Sequence, residues 1–447
     1  MIPFLLSLAA IGGILLLATI VGWMFAASLF PGGGSFRSER LAWGFVLGCA
    51  LLAAVVPISF AVGVTPGWIP FLILAGILLG AAHLLSREGG QLPPLPLGEG
   101  RGEGGTIASR LLLALLFLGI ALYALRALTE PMWSNDYLAI WGFKGKTIFG
   151  SRALPERLFR WPALGFSHPE YPLGLPFLYA GLSFLLGRWD DHAMALLFPF
   201  FQVATLLALF GWLRRRGAPW PLPLAAAALL AFFEPLYSGF LSGMAEVPLA
   251  CGMLLFGTAF SDALDQTDPG AARRLGVASL LIATTKNEGI FLAIVVSLVA
   301  GILAVRRRPV QWAVSAAALL PALAVTLLRR LTLGSVSLRD FDLSLLAPGG
   351  IEELLGRAGE SFHTALAEVV LPAWPGILCV AALLAVGRRT PYADRLLLLV
   401  AICLVAYTFL PALAVSSPAW LVRTTFARTA AALAPLAAAA IPARLSG

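Results

Sequence analysis

The 447 residues are 59% hydrophobic and only 12% charged, with mean hydropathy +0.89; a soluble domain carries about 25% charged residues, so a water-soluble fold is excluded. The net charge of +8 does not point to nucleic acid. Arg214-Arg215-Arg216, Arg273-Arg274, Arg306-Arg307-Arg308 and Arg388-Arg389 all lie in short connections between apolar runs, where the positive-inside rule places them.

Repeated apolar runs long enough for roughly 30 Å of hydrocarbon predict an all-α polytopic membrane protein. The short alternating segments of a β-barrel are missing. The first run, Phe4 to Leu29, is too long for a signal-peptide core and lacks a basic leader, so it reads as a helix. About thirteen spans are expected, near 4–30, 42–63, 67–86, 109–129, 193–213, 219–237, 246–264, 273–285, 289–305, 311–330, 371–387, 394–415 and 424–443. The first three make an N-terminal segment, 1–86. The Pro/Gly-rich stretch "QLPPLPLGEGRGEGG" reads as a flexible inside linker, 87–108. A larger module covers 109–330, and 371–447 closes the chain with further helices. Basic clusters inside give an outside N-terminus and an inside C-terminus.

Residues 165–187 look like a span, yet a crossing there would put every later basic cluster outside. Leu173 to Leu186 is therefore expected to lie in the outer interface, within one large outer loop, 130–192, containing interfacial helices. Its aromatics Trp133, Trp141, Phe159, Trp161, Tyr171 and Trp189 are expected at headgroup depth, with stacking on a sugar as the minority reading. A second outer loop covers 331–370, and its "IEELLGRAGESFHTALAEVV" can form an amphipathic helix. Cys49, Cys251, Cys379 and Cys403 lie inside apolar runs without metal-ligand spacing, and no disulfide framework is expected.

Ionisable residues at membrane depth are costly, so each is a functional candidate. On this threading they gather on the outer side, while the inward linkers carry little beyond arginine. Asn135 and Asp136 in "SNDYLAIWGFKGK" follow an apolar run directly. His168 and Glu170 lie in "SHPEYP", Glu246 in "SGMAEVPLA", Lys286 and Glu288 in "TTKNEG", and Arg423 and Arg428 at the start of the final span. Blander roles stand beside these. Asp136 can cap a helix or pair with Lys144 or Lys146, and His168 can be a packing residue. Asp190 and Asp191 look like a solvated loop cap. Lys286 and Glu288 can form a structural ion pair, and Arg329-Arg330, which breaks the inside rule, marks a boundary shift or a lipid-phosphate site.

No phosphate-binding glycine loop, H-E-x-x-H, Cys/His cluster or G-x-S-x-G occurs in a suitable context. An outer-face enzyme has no cytosolic nucleotide to use, but a polyprenyl-phosphate sugar is already activated and carried in the membrane. Transfer needs a carboxylate to take the acceptor proton and cations for the departing phosphate. Asp136 suits the first task; Lys286 with Arg423 or Arg428 suits the second.

The order "SNDYLAIWGFKGK", "SHPEYPLGLP", "HAMALLFPFFQVATLLALFGWLRRRG", "SGMAEVPLA" and "ATTKNEGIFL" resembles the GT-C glycosyltransferases, especially the protein O-mannosyltransferase and lipid A aminoarabinose transferase branch. The likeness covers about 109–330, and 371–443 only by hydropathy. It implies a GT-C-like module with Asp136 as base and an inverting displacement. The family's acidic pair is here Asn135-Asp136, so only Asp136 inherits the base role. Its His-Pro-Pro becomes His168-Pro169-Glu170, adding Glu170 as a second carboxylate for an acceptor or a metal. A divalent metal ion is permitted by the clustered carboxylates without being demanded. The expected donor is a polyprenyl-phosphate sugar and the acceptor a protein, lipid or polysaccharide, at a bacterial inner membrane with the site facing outside. A transporter or flippase for a lipid-linked sugar, and a non-catalytic scaffold of the same fold, are the alternatives.

Overall fold

The computed structural model describes residues 2–30, 36–87, 107–155, 162–265, 268, 270–307, 310–333, 342–373, 387 and 389–445. The described chain is helical, with no strand. Seven of its helices are long and apolar enough to cross a membrane, or eight if the bent pair Pro418–Ala431 and Ala434–Leu445 counts as one span. That fits a multi-pass membrane protein; the further spans expected from hydropathy are shorter, broken, or outside the described residues.

The helices are α1 (Ile2–Ala26), α2 (Arg37–Ala61), α3 (Trp68–Arg87), α4 (Ile107–Thr129), α5 (Gly142–Ser151), α6 (Gly174–Leu186), α7 (Leu197–Arg215), α8 (Pro221–Ala231), α9 (Glu246–Asp265), α10 (Ala271–Thr285), α11 (Asn287–Arg307), α12 (Val310–Leu333), α13 (Ile351–Ala365), α14 (Pro391–Phe409), α15 (Pro418–Ala431) and α16 (Ala434–Leu445). The span expected at 219–237 ends at Ala231 as α8, because Phe232 to Ser238 leave the helix. The span at 371–387 and the linker at 87–108 lie largely outside the described residues, as do Phe159, Trp161 and Cys379. Cys49, Cys251 and Cys403 are buried free thiols.

The three N-terminal helices are not set apart. α1 and α2 pack closely because Gly44 and Gly48 carry no side chain on the facing side: a Cβ on Gly48 would strike the Ala18 carbonyl. Small residues four apart permit this approach between membrane helices. The opposite side of α2 packs on α6 and α7. α6 has 13 residues, too few for the roughly 20 a crossing needs, as expected. Leu175, Leu178, Tyr179 and Leu182 are buried against protein, since α2 and α5 enclose the helix.

The ends of α7 and α9 meet the starts of α2, α10 and α14 in one cluster of ion pairs, while Glu246 at the start of α9 meets Lys286 just after α10 in another. At one end Arg215 holds Glu39 through two hydrogen bonds of 2.9 and 2.8 Å and reaches Asp262 at 2.6 Å. Arg216 pairs with Asp262, and with Asp265 at 2.8 Å. Arg274 lies 3.2 Å from Asp262 and also meets Asp268, and Arg395 pairs with Asp265. This corrects the expectation that the basic connections carry little beyond arginine: four acids partner them. Counting arginines for orientation leaves these acids out, because Asp and Glu have little weight in that rule.

Candidate functional site

The other end is built around the turn that follows α4. Ser134 Oγ accepts the Tyr137 N–H at 3.3 Å, starting a helix at Asn135. Tyr137–Trp141 form one π-helical turn before α5; such a turn inserts a residue and re-aims the side chains around it. Tyr137 is fixed on both faces. A Cβ on Gly142 would overlap its ring, and one on Gly243, whose φ of +93° favours glycine, would lie 2.7 Å from it. Tyr179 donates to the Gly243 carbonyl at 3.0 Å. The turn carrying Asp136 is thereby docked on the loop that leads into α9 and Glu246.

Five ionisable residues from four stretches of chain meet here in alternating sign. Arg428 Nη1 lies 2.8 Å from Asp136 Oδ2, and its Nε lies 3.6 Å from Glu246 Oε1. Lys286 Nζ donates to the same Glu246 oxygen at 3.0 Å and lies 2.7 Å from Glu288 Oε1. Glu246 and Lys286 are buried, whereas Asp136, Arg428 and Glu288 are partly open. Lys286 breaks the helix, with extended backbone at φ −156°, ψ 156°. The 15 residues of α10 before it rise about 22 Å, short of the roughly 30 Å of hydrocarbon. Among the described residues Glu246 Oε2 has no hydrogen-bond partner, and Arg428 engages Asp136 through Oδ2.

A second group lies beside this chain. His168 Nδ1 is 2.8 Å from Glu170 Oε1, and the His168 carbonyl accepts from Lys144 Nζ at 2.6 Å. His168 has φ +49°, a left-handed conformation uncommon for a non-glycine residue. Its ring stacks on Tyr171 at 4.8 Å, and Tyr171 stacks on Trp141 at 5.5 Å. Tyr171 is near enough to Lys286 and Arg428 to influence both charges. Lys144, in α5 and outside the spanning helices, is buried. Burial lowers its pKa to about 7, with Glu170 opposing and Arg329 adding to the shift.

The sequence candidates therefore divide. Asp136, Glu246, Lys286, Glu288 and Arg428 form one chain, with the Lys286–Glu288 pair read from the sequence as one link. His168 and Glu170 form the adjacent pair. Asn135 is exposed at the start of the same turn. Arg423 stands apart, held by Glu368 at 2.8 Å on an exposed surface. Asp136 pairs with Arg428, not with Lys144 or Lys146. Trp133 is exposed, whereas Trp141 is fully buried. Arg329 reaches toward Asn287 at 3.5 Å, tying the end of α12 to this region. In sequence Lys144 stands only as a partner for Asp136; its burial has no hydropathy signal.

A cleft of about 910 Å³ opens beside the turn, lined by residues that include Tyr137, Phe143, Lys146, Trp189, Asp191 and His192. None of the five ion-pair residues lines it. Asp190 caps the following helical turn, accepting from the Ala193 N–H at 3.1 Å. Asp191 does not cap: its Oδ1 accepts from the Tyr137 hydroxyl and from Trp189 Nε1, the latter at 2.6 Å. Among the described residues no group of three or more His, Cys, Asp or Glu side chains is arranged to hold a metal ion; the site's carboxylates are interleaved with cations. Comparison of the chain with protein-family models, with curated proteins and with solved structures gave no match.

Proposed function

We propose that this protein is an integral-membrane glycosyltransferase that moves a sugar from a polyprenyl-phosphate donor to an acceptor hydroxyl at the outer face of a bacterial inner membrane. The observation that carries this reading is the alternating chain Asp136–Arg428–Glu246–Lys286–Glu288 at one end of the helix bundle. Arg428 holds one Asp136 oxygen, leaving Oδ1 to take the acceptor proton as that oxygen attacks the anomeric carbon. The new C–O bond forms as the bond to the phosphate oxygen breaks, and the electron pair leaves on the phosphate. Arg428 and Lys286 are the cations that stabilise it, and Glu246 between them fixes their spacing before substrate arrives. Inversion at the anomeric carbon follows from a single displacement. Glu170, paired with His168, is a second carboxylate for orienting the acceptor, a protein, lipid or polysaccharide.

A flippase for the same lipid would need polar residues along a path between the two ends. α9 instead is buried and apolar from Val247 to Gly257, which favours chemistry at one end. The test is transfer from a panel of radiolabelled polyprenyl-phosphate sugars in membranes carrying wild type or Asp136→Asn. Labelled product from wild type alone supports the reading. Transfer that survives the substitution removes Asp136 as the base, and label that only changes leaflet makes the protein a flippase. A complete lack of both, with intact protein, leaves the scaffold.

A further inference from the structure

The transfer step uses none of the residues on the cleft wall, although the cleft shares a helical turn with Asp136. Its lining includes the apolar Leu138, Phe143 and Trp189 and the polar Lys146, Asp190 and Asp191. About 910 Å³ falls in the range of ligand sites, roughly 300–1,000 Å³. Asp191 is fixed before any ligand arrives: Oδ1 holds the Tyr137 hydroxyl and Trp189 Nε1, and among the described residues Oδ2 has no partner. A carboxylate held this way is an acceptor for hydroxyl donors at low entropic cost. The lining carries two aspartates against one lysine and one histidine, a poor balance for a phosphate.

We propose that this cleft binds an uncharged saccharide, whose hydroxyls meet Asp191 while its apolar face lies on the aromatic wall. Sugars present hydroxyls and apolar C–H faces together, and the lining offers carboxylates and aromatic rings together. Tyr137 lines the cleft while Asp136, one residue earlier, joins the ion-pair chain. The cleft thus shares a helical turn with the candidate base, and a saccharide bound in it is read as the acceptor. That acceptor role rests on the reading above; the binding itself does not.

The test uses full-length protein in nanodiscs, probed with an array of labelled neutral di- to hexasaccharides and no donor. Thr147→Trp fills the cleft from α5. Gly150→Trp fills it from a second point, where an added Cβ meets nothing within 4 Å. Wild type is expected to retain at least one neutral saccharide, bound about tenfold or more weakly by either variant at unchanged melting temperature. Two results overturn the proposal: no neutral saccharide retained by wild type, or equal retention by both variants. Selective capture of sugar phosphates or of Ser/Thr peptides, blocked by the same variants, overturns the ligand class. Saccharide binding without any transfer would sink the transferase reading alone, and transfer without saccharide binding would sink only this one.

Discussion

Asp136 and Arg428, 292 positions apart in the chain, are joined by an ion pair of 2.8 Å. Arg428 also faces Glu246 at 3.6 Å, so one guanidinium ties the turn after α4 and the start of α9 to α15. Breaking that link should disturb three elements at once. Arg428→Ala is expected to lower the melting temperature by several degrees in detergent, whereas Arg423→Ala, which loses only an exposed contact with Glu368, leaves it unchanged. Equal effects of the two substitutions would contradict the placement of Arg428.

Glu246 and Lys286 form the buried centre of the chain. Removing one partner of such a pair costs about 3 kcal/mol or more, because the other charge stays buried. Lys286→Met should therefore be strongly destabilising, and adding Glu246→Gln should recover a large part of the loss. A double-mutant cycle by denaturation in mixed micelles measures this; simple additivity of the two losses would show that the groups are not coupled.

Lys144 gives stability a pH dependence of defined sign. Its pKa is about 7 in the folded protein against an ordinary 10.5. Between those values the unfolded chain binds the extra proton, so stability rises with pH through this window. The cost of burying the ammonium is fully present below about pH 7. Melting temperatures from pH 6.5 to 9.5 should thus climb for wild type relative to Lys144→Met, and a constant offset between the two would refute the assignment.

Tyr137 and Gly142 can be tested against each other. A side chain at Gly142 would overlap the Tyr137 ring, and overpacking of this kind costs about 1–3 kcal/mol. Gly142→Ala should destabilise wild type, but much less in a Tyr137→Ala background where the ring is gone. Transfer activity should follow the same order, since Tyr137 docks the turn bearing Asp136.

At the opposite end Asp262 is shared by Arg215, Arg216 and Arg274. Asp262→Ala leaves three cations crowded around a buried position and is expected to be the most damaging single change of an acid there. Asp268, more open and meeting Arg274, should tolerate alanine better. Expression and thermal stability of the two variants give the comparison.

Much of the candidate site was legible from one physical fact: charge is costly beside apolar sequence. That criterion singles out Asp136, Glu246, Lys286, Glu288 and Arg428 without any knowledge of contacts. It also selects Arg423, because hydropathy does not distinguish two arginines five positions apart on one helix. The sequence marks Trp141 as interfacial and Lys144 only as a partner for Asp136, whereas both are buried, Trp141 stacked on Tyr171 and Lys144 bonded to the His168 carbonyl.

The sequence by itself determined that the chain is helical and apolar enough to cross a membrane, since those properties depend on runs of neighbouring residues. It also offered, in the basic clusters that follow, a reason to expect no crossing at 165–187. Tertiary structure alone decided which charges meet, because each pairing joins residues brought close only when helices distant in sequence pack together. It likewise decided that α6 is enclosed by protein and that the arginine-rich end is neutralised by Glu39, Asp262, Asp265 and Asp268. Burial and charge pairing are properties of the packed assembly, and no window of sequence contains them.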